Sequence, residues 1–218
     1  MTTVTIVSTG ALLVDGSPHF PIVLSNGPPP DGLAPGGRNG LAEVAAAGVS
    51  FVRTGMADWN LAEIGPQLDA QRALLDAAAA HGLRAWLWLG NVPNLPPHAP
   101  GGPPPPQEQL LARIADGLQG HPALGVYKGM DEPRNPFRGA DWIRPAGLVR
   151  AYERLQQLDG THPLVITQAP IGTVAQLSPY RNAFDITGAD VYPVSYPPGA
   201  HTRTGNRDIS VVGDVTRM

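Results

Sequence analysis

The chain has no cysteine and one lysine, Lys128; the other 14 of its 15 basic residues are arginines (15 less the one lysine). Without cysteine there are no disulfides, no thiolate nucleophile and no cysteine-ligated zinc, and the redox compartment stays open. Charged residues are scarce at 15%, and no apolar run approaches the ~18 residues of a membrane span. The opening Met1–Val7 lacks both the basic start and the long apolar region of a signal peptide, so the sequence as given carries no export address and leaves localisation undecided. A net charge of −3 with no basic block argues against nucleic-acid binding. The histidines fall at no metal-ligand spacing such as His-x-x-x-His, so the sequence predicts neither a metal nor a cofactor. The preference for arginine beside heavy use of Ala, Gly and Pro reads as a coding bias more than a binding surface.

What is present is a chain of 218 residues, 42% hydrophobic, enough for one domain with a full core. It is organised around His121–Pro133. There an apolar run of strand length, Ala123 to Gly129, delivers Asp131 and Glu132, and Pro133 stops the strand by removing a donor. Two adjacent acids where a buried strand meets a loop are costly unless paired or used. Taken alone, an Asp-Glu-Pro is more readily a solvated turn.

Upstream, Ala11–Val14 and His19–Leu24 flank Asp15-Gly16, which predicts a hairpin whose second arm continues as the first core strand. A unit then repeats. Helices are predicted over about 41–47, 66–80, 107–118 and 145–158, with a weak turn near 174–177. They alternate with strands over 49–54, 83–89, 123–129, 163–167 and 184–192. The joints Ala-Ala-Gly48-Val and Ala-His-Gly82-Leu are one device: helix, glycine in the left-handed cap, buried strand. Strands that are near-continuous apolar runs between helices imply a parallel sheet covered on both faces.

Six such strands, with long Pro/Gly/Trp/Asn loops after them and tight joints before them, predict a β/α barrel with its site at the strand C-termini. A doubly wound sheet is the alternative. It favours a glycine-rich phosphate turn after the first strand, and Gly27-Pro-Pro-Pro30 cannot supply the N–H groups. A closed barrel needs eight strands, so residues 1–218 read as a single partial barrel domain, incomplete after strand six, whose open sheet exposes two edges and an uncovered interior.

The barrel frame gathers Asn26, Arg53, Asn91, Asp131, Glu132, Gln168, Asp190 and Tyr192 at strand ends, with Trp59, Trp142 and Tyr196 in loops on the same face. This layout resembles the large clan of retaining glycoside hydrolases on a β/α barrel, which includes cellulase-like, β-galactosidase-like and β-glucuronidase-like families. The resemblance runs from Leu13–Pro21 through Gly48–Arg53, His121-Pro122 and Asp131–Pro133 to Asp190–Pro193. It implies a carbohydrate substrate, with Glu132 as acid/base. It places Arg53 where an arginine orients the nucleophile and Tyr192 where an aromatic lines the sugar subsite; Asn91, Asp131, Asp190 and Trp59 complete the substrate-binding set. Two departures stand out. Asp131 replaces an asparagine that donates to the sugar 2-hydroxyl, and an ionised Asp cannot donate, though its charge favours a protonated neighbour. The nucleophile, a Glu after a seventh strand, is expected beyond residue 218, so the chain by itself is expected to be inactive.

Plainer readings stand beside these. Arg53 can serve as a salt-bridge partner of Asp131 or Asp190, Trp86 and Trp88 as core, and Lys128 as a buried ion-pair partner. A non-catalytic carbohydrate-binding barrel is the alternative function, and a metal-dependent sugar isomerase or lyase is a third.

Overall fold

The computed structural model describes residues 2–99, 101–135, 143–169 and 173–190. A small antiparallel sheet comes first: β1 (Val4–Ile6), β2 (Leu12–Val14) and β3 (Ser17–Pro18). The turn between β2 and β3 is Asp15-Gly16, both at positive φ, as the Asp-Gly dipeptide predicts. The alternating units follow: β4 (Val23–Leu24), α1 (Gly40–Ala46), β5 (Phe51–Gly55), α2 (Ile64–Ala79), β6 (Arg84–Trp88), α3 (Pro106–Leu118), β7 (Leu124–Asp131), α4 (Pro145–Leu158), β8 (Leu164–Gln168), α5 (Val174–Leu177) with a 3₁₀ turn at Ser178–Tyr180, and β9 (Ile186–Ala189). Strands β4 to β9 pair in chain order and all in parallel. They form a curled half-barrel, six strands of the eight in a closed β/α barrel.

Local chemistry places the helices. The Asn39 Oδ1 accepts from the Leu41 and Ala42 N–H groups and so caps α1. Pro106 and Pro145 open α3 and α4, where a missing N–H costs nothing. The outer core joins Leu68 and Leu75 of α2 and Leu111, Ile114 and Leu118 of α3 to Ala85, Leu87, Leu124 and Tyr127 on the sheet. Alternate residues point inward, where Phe51, Val126 and Val165 meet Val4 and Val14 of the small sheet. Gly125 makes room for this: a Cβ there would lie 2.5 Å from the Phe51 ring.

Three expectations change here. The hairpin's second arm does not run on into the core; it ends at Pro18, and β4 is a separate pair of residues. Proline at 18 and 21 removes the donors that one continuous strand needs. An unforeseen strand, β1, pairs with β2, and the sheet it completes covers the floor of the half-barrel, so the interior is not bare. Arg84 fastens that floor, its Nη2 donating to Asp15 Oδ2 at 3.0 Å. The edges are as expected: β4 and β9 bound the sheet among the described residues.

A polar cluster is sealed where α4 turns into β8. Asp159 Oδ2 accepts from the Tyr127 hydroxyl (2.8 Å) and from His162 Nδ1 (2.7 Å), and Oδ1 accepts from the Thr161 N–H and hydroxyl. Burial pushes the Asp159 carboxyl up, but the His162 and Thr161 hydrogen bonds outweigh it and hold it down at about 2.

Candidate active site at the strand ends

The chemistry of the upper rim begins with an irregularity in β7. Lys128 pairs with Val165 and Asp131 with Thr167, so β7 advances three residues where β8 advances two. That is a bulge at Gly129-Met130. In a regular strand, residues three apart face opposite sides; the extra residue returns Asp131 to the face of Lys128. Lys128 Nζ then donates to Asp131 Oδ1 at 2.6 Å. Lys128 is 6% exposed. Burial depresses its ammonium below the ordinary lysine range, and the Asp131 charge opposes that shift.

Glu132 follows in the left-handed region, φ 45°, an uncommon position for a residue with a Cβ. Its N–H donates to Thr167 O at 2.8 Å, tying it to β8, and its Oε2 accepts from Asn135 Nδ2 at 2.6 Å. The strand thus ends in two carboxylates with different surroundings: Asp131 on an ammonium, Glu132 on an amide.

Arg53 comes from the inward face of β5. Its Nη2 donates to Asn26 Oδ1 at 2.7 Å, and its guanidinium lies 5.0 Å from the centre of the Trp88 ring. The salt bridge to Asp131 considered from sequence is therefore replaced: Lys128 takes Asp131, while an amide and an indole face hold Arg53. Lys128 feels both Arg53 and Asp190 electrostatically, which places the three in one neighbourhood. Asp190 lies one residue past β9 rather than within it, its N–H donating to Gln168 O. Asn91 is exposed at the end of β6, after Gly90, with its N–H on Ala57 O. Gln168 is buried on the helix-facing side, the parity of Leu164, away from the mouth. Tyr192, Trp142 and Tyr196 lie outside the described residues.

Trp59 is placed differently from the open loop platform that the sequence suggested. It is 5% exposed, packed in the outer core, with its indole N–H donating to Trp88 O at 3.1 Å. Loop position alone could not reveal this, because the β5–α2 loop folds down onto β6: Gly55, at φ 83°, sits where a Cβ would be 2.1 Å from Trp88 O. Trp59→Phe is expected to cost about 1–2 kcal/mol by losing the hydrogen bond and part of the packing; a denaturant titration checks it. Trp88, read as core, instead carries Arg53 at the rim, while Trp86 one layer below does pack into the inner cluster.

Lys128 is the buried ion-pair partner that the sequence suggested; sequence reasoning missed that its partner is Asp131, and it missed Asn135. Asn135, three residues past Glu132 beyond a strand-ending proline, was a legible signal; the bulge had only Gly129 to announce it. Among the described residues, no group of three or more His, Cys, Asp or Glu is placed to hold a metal ion.

No protein-family model matches the chain, and no curated protein matches it. Solved structures do. The fold is similar to a β-glucuronidase from Parabacteroides merdae, with TM-score 0.58 at 13% identity, covering 99% of this chain and 25% of that one. It is similar to an endo-1,4-β-mannanase from Eisenia fetida, TM-score 0.54 at 13% identity, covering 87% of this chain and 72% of that one. A β-1,4-mannanase from the sea hare Aplysia kurodai gives TM-score 0.54 at 15% identity, with 85% and 74% covered. The chain spans about a quarter of the glucuronidases and about three quarters of the mannanases. The likeness is one of fold: a half-barrel shared with glycoside hydrolases.

Proposed function

We propose that the protein hydrolyses O-glycosidic bonds by a retaining two-carboxylate mechanism, with Glu132 as general acid and then general base. The observation that carries this reading is the placement of Glu132. It stands at the end of the fourth strand of a half-barrel, in the left-handed region and next in chain to Asp131 of the Lys128–Asp131 pair, with Arg53 in the electrostatic neighbourhood of Lys128. Retention needs a second carboxyl about 5–5.5 Å from the first, one protonated and one ionised. That partner is assigned to a seventh strand, following β9 in barrel order, with Arg53 positioned to orient it. Arg53, Asn91, Asp131, Asp190 and Tyr192 shape the sugar subsite, and Trp59 supports the loop beneath. The neighbours' activities on β-glucuronides and β-mannans make a β-linked sugar the first substrate class to try.

The test is hydrolysis of 4-nitrophenyl β-glycosides of glucose, mannose and glucuronic acid and of β-1,4-manno-oligosaccharides by the full polypeptide. Proton NMR of the first-formed anomer accompanies it. Hydrolysis with retention is expected. Inversion would overturn the mechanism, and sugar binding without turnover would favour the carbohydrate-binding barrel.

A further inference from the structure

We infer that Lys128 is a positioning residue that fixes Asp131 as a charged hydrogen-bond acceptor for the sugar hydroxyl beside the scissile bond, so that the subsite selects ligands able to donate there. This rests on the glycosidase reading and goes beyond it. The β7 bulge has a defined product: it brings a buried ammonium and a carboxylate, three residues apart, to one face at 2.6 Å. Lys128 holds only Oδ1, and the Asp131 side chain remains 44% exposed, so the carboxylate opens toward the mouth. An ionised carboxylate has no hydrogen to give, and the donor must come from the ligand. The sugar group whose hydrogen bond strengthens in the transition state is the 2-hydroxyl, and it is the donor we assign to Asp131.

The identity of the cation fits this task. A chain with 14 arginines places its one lysine here, where a compact ammonium can sit beneath the bulge and point at one oxygen, whereas a planar guanidinium would span both. With Oδ1 neutralised at short range, the other oxygen accepts an O–H in a charge-assisted bond, stronger than its neutral equivalent.

The experiment measures binding of the methyl β-glycosides of glucose, mannose and glucuronic acid, with their 2-deoxy and 2-deoxy-2-fluoro analogues, to the full polypeptide. Wild type, Lys128→Met and Asp131→Asn are compared by calorimetry at pH 7, each first checked for a cooperative melt above the assay temperature. A fluorine keeps an acceptor and loses the donor, so both analogues should bind wild type about ten- to a hundredfold more weakly than the parent glycoside. In Lys128→Met that ratio should collapse to within about threefold for both analogues; in Asp131→Asn, whose amide can donate, it should collapse for the fluoro analogue, which keeps an acceptor. A merely structural Lys128 would leave the ratio unchanged while lowering stability. An unchanged ratio in Lys128→Met, or a fluoro analogue that binds wild type like the parent, overturns the inference and leaves the glycosidase reading standing. Failure of wild type to bind any of the parent glycosides overturns both.

Discussion

Replacing Glu132 with glutamine is expected to lower kcat by about 10²–10⁴-fold on glycosides with poor leaving groups, the usual worth of a positioned general acid. For 2,4-dinitrophenyl glycosides, whose leaving group departs without a proton, the loss should shrink toward nothing in kcat/KM while persisting in kcat, because Glu132 also activates the water that clears the glycosyl-enzyme. Glutamine preserves the shape of Glu132 and its contact with Asn135 Nδ2 through the amide oxygen, so folding should be intact. It cannot give or take the catalytic proton. A loss of equal size in kcat/KM on all leaving groups would instead make Glu132 a binding residue. The neighbouring acid, Asp131, is compensated by Lys128 at 2.6 Å.

The second large effect lies at the other end of the barrel. Asp159→Ala is expected to destabilise the fold by about 2–4 kcal/mol, because it strands the buried Tyr127 hydroxyl and His162 Nδ1 and removes the acceptor of the exposed Thr161. The same cluster makes a pH prediction. The folded Asp159 carboxyl titrates at about 2, below its ordinary 3.8. A depressed carboxylate contributes stability that is full above the unfolded value and is lost as pH falls through the folded one. Roughly 2 kcal/mol should therefore disappear between about pH 4 and pH 2. Asp159→Asn should flatten that limb of the stability–pH curve; an unchanged limb would show that other carboxylates govern acid unfolding.

Much of this was legible in sequence because the local signals agreed. Asn39, Gly48, Gly82, Pro106 and Pro145 mark helix ends by their own chemistry, and the apolar runs between them leave few alternatives to a parallel sheet. Strand ends gave the rim residues for the same reason. What escaped depends on register and on loop descent. No periodicity announces that β7 takes an extra residue, so the partner of Lys128 was hidden. Trp59 looked exposed because a loop aromatic gives no sign of whether its loop lies outward or, through Gly55 at Trp88, folds down onto the sheet. The small sheet's role as a floor arises from contacts between Val4 or Val14 and Val165, about 150 residues apart, which no local pattern encodes.

The most direct measurement is chemical rescue of Glu132→Ala by azide on an activated aryl β-glycoside, with the product identified by NMR. Removing the acid/base leaves room for a small anion that needs no general base, so the account predicts a rate that rises with azide and a β-glycosyl azide as product. An azide-independent rate with only free sugar released would contradict it.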